Sequence, residues 1–224
     1  MAEVKYYFFI AVLSFISLFF SCSQTEKNLC ENSISLIVSN DSLPQADLDF
    51  DLTNSDLEEK IRKLTAAQDS RKPQRFGLLI NGLALNSSIH AKHANLTACY
   101  GMPAMMHRSP QLDVFITGDG KALMEGRDLI PLDSITGYIH WYFPHDNPYG
   151  EKIVKVNKSK LTPLSVFENG VEHIVNGYLK YYEKRAEELF QKPVCELDST
   201  QLSAVKKSYP FELRLWIGEP SVFN

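Results

Sequence analysis

Residues 112–130, LDVFITGDGKALMEGRDLI, carry the clearest structural pattern of the chain. The first six residues have the apolar and aromatic composition of a β-strand, and GDGK is typical of a tight turn. The remaining residues, ALMEGRDLI, return as a second strand with a turn of their own. This stretch therefore predicts a β-hairpin, which is the start of a sheet.

The sequence that follows the hairpin alternates between helix and strand patterns. Residues 131–143, PLDSITGYIHWYF, place apolar side chains at helical spacing and stop at Pro144. Residues 152–157, KIVKVN, predict a strand. A long apolar stripe that begins at Ser165 predicts an amphipathic helix with one charged face.

The C-terminal part completes the predicted domain. Residues 197–210, LDSTQLSAVKKSYP, indicate a short capped helix, and residues 211–217, FELRLWI, alternate like a half-buried strand with Arg214 facing outward. The resulting order is β-β-α-β-α-α-β. It predicts an α+β domain over residues 112–224, in which a small mixed sheet has helices packed on one face.

A less regular extension precedes this domain, at residues 55–111. Ser55 and Glu58 form a capping-box pattern at the start of a short helix, and Asn81-Gly82 separates two apolar runs like the turn of a hairpin. The residues that follow this hairpin indicate either a further helix or an irregular segment.

The N-terminus has the features of an export signal. Residues 6–20 contain no charge, but a helix of this length spans only about 22 Å, against about 30 Å for a bilayer core. The small residue Ser21 then precedes Cys22, as a cleavage site requires. We therefore predict a signal peptide at residues 1–21. A plain signal peptide with an incidental cysteine, or an uncleaved anchor, remains open.

The stretch Phe19-Phe20-Ser21-Cys22 resembles an aromatic-rich lipobox of Bacteroidetes lipoproteins. The resemblance implies that Cys22 carries acyl chains such as palmitate, and several chains form a stable membrane anchor. Residues 22–54, which are rich in Ser, Asn, Asp and Gln, are then predicted to form a lipid-anchored flexible tether.

The cysteines fit an exported protein better than a zinc protein. The chain has four of them, Cys22, Cys30, Cys99 and Cys195, without a C-x-x-C pair. If Cys22 carries lipid, the other three allow one disulfide in an oxidising compartment, and the sequence does not choose the pair.

The composition excludes one class of partner. The chain has 224 residues, is 44% hydrophobic and carries a formal net charge of -4, so it can bury a core but has no basic field for phosphate backbones. Nucleic acid is therefore not an expected partner.

The C-terminal half resembles the periplasmic domain of Bacteroidetes ExbD/TolR-type biopolymer-transport proteins. The matching pieces, in order, are Asp119-Gly120-Lys121, Leu132-Asp133, Tyr181-Tyr182-Glu183-Lys184-Arg185, Leu197 with Gln201, Tyr209-Pro210 and Glu219-Pro220. The likeness covers about half of the chain. It implies a periplasmic binding domain whose partners are an ExbB/TolQ-like channel protein or peptidoglycan, and it leaves open a homodimer.

One departure from that family bears on mechanism. Its members carry a proton on a transmembrane aspartate, but residues 6–20 contain no Asp or Glu. We therefore expect a membrane-anchored cell-envelope protein that acts by binding. The alternative is a true motor subunit with an uncleaved N-terminal helix.

One stretch has the composition of a binding loop. Residues 140–149, HWYFPHDNPY, bring together His140, Trp141, His145 and Asp146, which suit stacking on a sugar or a protein partner. The competing interpretation is a helix end that packs on the sheet. The sequence contains no catalytic motif, and His90 and His93, three residues apart, have no third metal ligand, so we predict no enzyme, no cofactor and no metal site. A secreted enzyme that uses this loop is the remaining alternative.

Overall fold

The computed structural model describes residues 29–39, 42–47, 54–69, 72–89, 111–124, 128–145, 153–159, 161–208 and 210–215. In chain order these residues form α1 (Glu31–Ile37), β1 (Gln45–Asp47), α2 (Asn54–Leu64), β2 (Gln74–Ile80), β3 (Leu83–Ile89), β4 (Gln111–Ile116), β5 (Lys121–Met124), β6 (Asp128–Pro131), α3 (Ser134–His145), β7 (Ile153–Lys158), α4 (Leu164–Phe190), a 3-10 turn (Val194–Glu196), α5 (Ser199–Ser208) and β8 (Leu213–Leu215).

All eight strands belong to one mixed sheet, in the order β1-β2-β3-β8-β7-β4-β5-β6. The last strand of the chain, β8, lies between β3 and β7 and is parallel to both. The predicted mixed fold of helices and strands is confirmed. The sheet is larger than predicted, because β8 joins the hairpin of the 55–111 extension to the strands of the C-terminal half.

Both predicted hairpins are confirmed. β2 and β3 are antiparallel and are joined by Asn81 and Gly82, whose φ angles of 48° and 78° suit an Asn-Gly turn. β4, β5 and β6 form an antiparallel meander, and Gly120 in the first turn has a φ angle of 77°.

The core lies on one face of the sheet. Leu112, Val114 and Ile116 of β4 are buried on that face, because alternate residues of a strand point the same way. The long helix α4 packs there, and the Cα of Gly170 comes so close to Ile116 that a β-carbon would not fit. The centre is aromatic, since the ring of Tyr178 lies 4.7 Å from both the Phe143 and Phe211 rings.

The N-terminal segment differs from the predicted tether. Within residues 22–54, α1 buries Leu36 and Ile37, and β1 pairs in parallel with β2. The apolar run ISLIV at residues 34–38 supplies this core contact. Composition alone does not predict it, because the residues around this run are polar.

The last strand also differs from the prediction. We expected a half-buried β8 with Arg214 facing outward, but Arg214 is only 7% exposed. Arg214 does point away from the core, but Ser88 and Lys155 flank it in register on the two neighbouring strands and Glu212 bonds it, so little of it reaches solvent.

The contact between α3 and α4 provides a test of the packing. A β-carbon on Gly177 would lie 2.8 Å from Cβ of Ile139, whereas one on Gly137 would meet nothing within 4 Å. We expect Gly177→Ala to lower the free energy of unfolding by about 1–3 kcal/mol through overpacking. Gly137→Ala should raise it by up to about 1 kcal/mol, since alanine favours a helix. Urea unfolding measures both, and equal effects of the two substitutions would contradict the packing.

Candidate functional site

A disulfide joins the residue before α1 to the C-terminal part of the chain. Cys30 and Cys195 are bonded, with a Cα–Cα distance of 5.8 Å and a sequence separation of 165. The pair was one of those that the sequence left open. Cys22 and Cys99 lie outside the described residues.

The surroundings of the disulfide connect it firmly to the long helix. The side-chain amide of Asn32 in α1 donates hydrogen bonds to the carbonyl oxygens of Val194 and Leu197, at 3.0 and 2.9 Å. The backbone N–H of Val194 in turn donates to Glu183 of α4, at 3.0 Å. These bonds fix Cys195 beside the C-terminal part of α4.

The second feature is a group of three aromatic rings on α3, which we call the aromatic surface: Tyr138, Trp141 and Tyr142. The ring of Tyr138 lies 6.3 Å from that of Trp141, edge to face, and 6.1 Å from that of Tyr142, stacked. Trp141 is 58% exposed. A ring that is held by its neighbours and still exposed can contact a partner with little loss of side-chain entropy.

The predicted binding loop is only partly brought together. His140 lies within electrostatic reach of Lys180 and Lys184 of α4, whereas the ring of Trp141 lies edge to face with that of Tyr138. His145 is the last residue of α3, so the helix runs one residue past the predicted stop. The side chain of His145 and all of Asp146 lie outside the described residues. Their role in a binding loop stays a prediction.

His140 has an electrostatic environment that disfavours its charged form. Burial is the largest cause that lowers the pKa of His140, and the positive charges of Lys184 and Lys180 lower it further. Its Nδ1 atom is buried and has no hydrogen-bond partner among the described residues.

This environment predicts a pH dependence. Because the pKa of His140 is lower in the folded state than its usual 6.5, the unfolded chain binds more protons, and stability falls as the pH drops below about 6.5. We expect His140→Gln to remove this part of the acid sensitivity in urea unfolding at about pH 7.5 and 5.5. An NMR titration in which His140 takes up its proton at or above its usual pKa would contradict the prediction.

The third feature is a row of polar side chains across the sheet, on the face opposite to the core. We call it the charged row: Asp113, Lys155, Arg214, Ser88 and Arg75. These residues are aligned on the adjacent strands β4, β7, β8, β3 and β2. Residues in register on neighbouring strands share one face, so the row runs across five strands.

Glu212 holds the centre of this row together. Its carboxylate accepts hydrogen bonds from Arg214 at 2.8 Å and from Ser88 at 2.6 Å, and it lies 3.8 Å from the guanidinium of Arg75. The side chains of Glu212 and Arg214 are 12% and 8% exposed. At the other end, Lys155 and Asp113 are 3.9 Å apart.

The sequence did not indicate this row, because its members come from five strands whose register is not encoded locally. The only signal was the alternation of Glu212 and Arg214 in the last strand. Within the described ranges, no group of His, Cys, Asp and Glu could hold a metal ion. No helix of the same residues is long and apolar enough to cross a membrane.

Comparison with known proteins gives no relative. The chain matches no family model, no curated protein and no solved structure.

Proposed function

We propose that this chain is an exported cell-envelope protein, held to a membrane by lipid on Cys22, whose folded domain binds protein or cell-wall partners. In this proposal the domain works as a relative of the ExbD/TolR periplasmic module, without the proton-carrying helix of that family. The proposal is a binding function and not a catalytic one.

The Cys30–Cys195 disulfide is the observation that supports this proposal most strongly. Disulfides form and persist in oxidising compartments such as the bacterial periplasm and are rare in the cytosol. A bond between two distant cysteines, packed against α1 and α4, therefore favours an exported protein. It agrees with the signal peptide that the first 21 residues predict.

The surface of the domain supports binding as its activity. The two ends of the charged row are exposed and opposite in sign, with Arg75 at 61% and Asp113 at 64% side-chain exposure. Between them, Ser88 and Arg214 are held in place by Glu212. Such an arrangement suits a protein partner with complementary charges, because charge complementarity guides encounter and fixes orientation.

Metabolic labelling with palmitate tests the anchor. We expect the wild-type protein and Cys99→Ala to take up the label and to sediment with membranes. Cys22→Ala should take up no label. It should either keep its signal peptide or be released from the membrane. Absence of label on the wild-type protein would contradict lipidation.

A deletion tests the binding function. A chain truncated after residue 54 keeps the proposed anchor but lacks α2 and nearly all of the sheet. We expect that the truncated chain no longer binds isolated cell walls and no longer cross-links to membrane proteins in the cell. The full chain should still show one of these two interactions. Equal capture by both chains would show that the domain is not the binding element.

The charged row offers a sharper variant of the same experiment. Arg75→Glu combined with Asp113→Lys reverses both exposed ends, and we expect a weaker cross-link to the partner. Lys63→Glu, on α2, is a matched change of an exposed charge and should leave the cross-link unchanged.

A further inference from the structure

The aromatic surface lies at the same end of the helical layer as the disulfide. α3 and α4 run in the same direction, since Thr136 bonds the carbonyl oxygen of His173 at 3.0 Å and the ring of Phe143 lies 5.8 Å from that of Tyr181. The C-terminal ends of both helices therefore point to the region of Cys195.

A single turn of α4 links the two features. Lys180 and Lys184 lie near enough to His140 of α3 for their charges to lower its pKa. Glu183, from the same turn, accepts the hydrogen bond of Val194, the neighbour of Cys195. This turn of α4 therefore lies near both α3, which carries the aromatic surface, and the segment that holds Cys195.

The disulfide also limits the distance between the folded domain and a lipid anchor on Cys22. Cys30 is fixed to the body of the domain by its bond to Cys195. From Cys22 to Cys30 there are eight residue steps, which span at most about 29 Å when fully extended. A lipid on Cys22 would therefore keep this end of the helical layer close to the bilayer.

The side chains at this end have the chemistry of a membrane interface. Tyr and Trp are favoured at headgroup level, where one side of the ring is apolar and the other is wet. Exposed lysines near the surface are attracted to acidic phospholipids. Of the nearby carboxylates, Glu183 is bonded to Val194, and Glu188 is bonded to Arg185 while it also lies 3.9 Å from Lys184 in an exposed pair. An exposed pair at this distance is weak and leaves Lys184 able to exchange Glu188 for a phosphate.

We propose that the aromatic surface of α3 rests in the headgroup region of the membrane that holds Cys22, with Lys180 and Lys184 at lipid phosphates. This inference rests on the proposed function, because it needs the anchor. In this orientation the helical layer of the domain lies against the membrane, and the charged row on the other face of the sheet stays accessible to a partner.

Fluorescence of the acylated full chain tests the inference. The chain has two tryptophans, Trp141 and Trp216, so Trp216→Phe leaves Trp141 as the probe. In vesicles of phosphatidylethanolamine and phosphatidylglycerol with shallow brominated acyl chains, we expect its emission to shift to the blue and to be quenched. Lys180→Glu with Lys184→Glu should reduce the quenching, whereas Lys121→Glu, at the start of β5, should not.

A second probe at the other end of α4 serves as the control. Leu161 precedes α4 and is 86% exposed. The control chain carries Trp141→Phe, Trp216→Phe and Leu161→Trp. We expect its tryptophan to emit at the longer wavelength of a water-exposed ring and not to be quenched by the bromines. Equal quenching of the two probes would contradict the orientation.

Mass analysis of the same samples separates the two possible failures. If Cys22 carries no lipid, the proposed anchor is wrong. If Cys22 is acylated but Trp141 is as open to iodide as the probe at position 161, the anchor stands and the membrane contact is overturned. Shielding of Trp141 by a bound protein, without quenching by the bromines, would overturn it equally.

Discussion

Replacement of both Cys30 and Cys195 by serine is expected to lower the free energy of unfolding by about 4 kcal/mol. The bond links residues 165 positions apart, so it removes a large part of the conformational freedom of the unfolded chain. Urea unfolding of the oxidised wild-type protein and of the double variant measures the difference. The variant should also unfold at a lower temperature.

Two controls assign this loss to the disulfide. Cys99→Ser removes a thiol outside the pair and should leave the unfolding curve unchanged. Reduction of the wild-type protein should reproduce the effect of the double substitution. If oxidised wild-type protein and the double variant unfold at the same urea concentration, the bond does not stabilise the fold.

Glu212→Ala is expected to lower the free energy of unfolding by about 3–5 kcal/mol. The change leaves the guanidinium of Arg214 buried without its carboxylate and removes the acceptor for Ser88. An unpaired buried charge is far more costly than the pair is stabilising, because it keeps the desolvation cost and loses the attraction.

A second substitution distinguishes this cause from a simple loss of packing. Glu212→Leu with Arg214→Met removes both charges, and we expect it to restore much of the stability lost in the single variant. Asp113→Ala, which removes an exposed partner from a 3.9 Å pair, should change the unfolding free energy by less than about 1 kcal/mol. If Glu212→Ala lowers the free energy of unfolding by as little as Asp113→Ala does, the buried pair does not have the importance assigned to it.

The sequence predicts those parts of the fold that local patterns encode. The Asn81-Gly82 turn and the hairpin at residues 112–130 are set by turn residues and by alternation within a few positions. The capped start of α5 is similar, since the Asp198 carboxylate accepts hydrogen bonds from the N–H groups of Thr200 and Gln201.

The order of the strands could not be predicted in this way. β8 lies between β3 and β7, which are separated from it by long stretches of chain, and only tertiary packing selects these neighbours. The same reason explains Arg214, whose burial depends on both neighbouring strands. α1 was not predicted from the sequence, because its short apolar run lies within a polar region.

The candidate site follows the same division. The sequence pointed to Trp141 and His140 by composition, and the structure separates them, because consecutive helix residues lie about 100° apart around the axis. The charged row and the disulfide pairing depend on contacts between distant residues, so local sequence patterns do not determine either of them.

A peptide map of the native protein under non-reducing conditions tests the central proposal most directly. Trypsin is expected to release residues 22–27 with acyl chains on Cys22, and a cross-linked pair made of residues 28–60 and 186–206. This result would establish an exported lipoprotein whose domain is fixed close to its anchor. A mature chain that starts at Met1, with free thiols on Cys30 and Cys195, would contradict it.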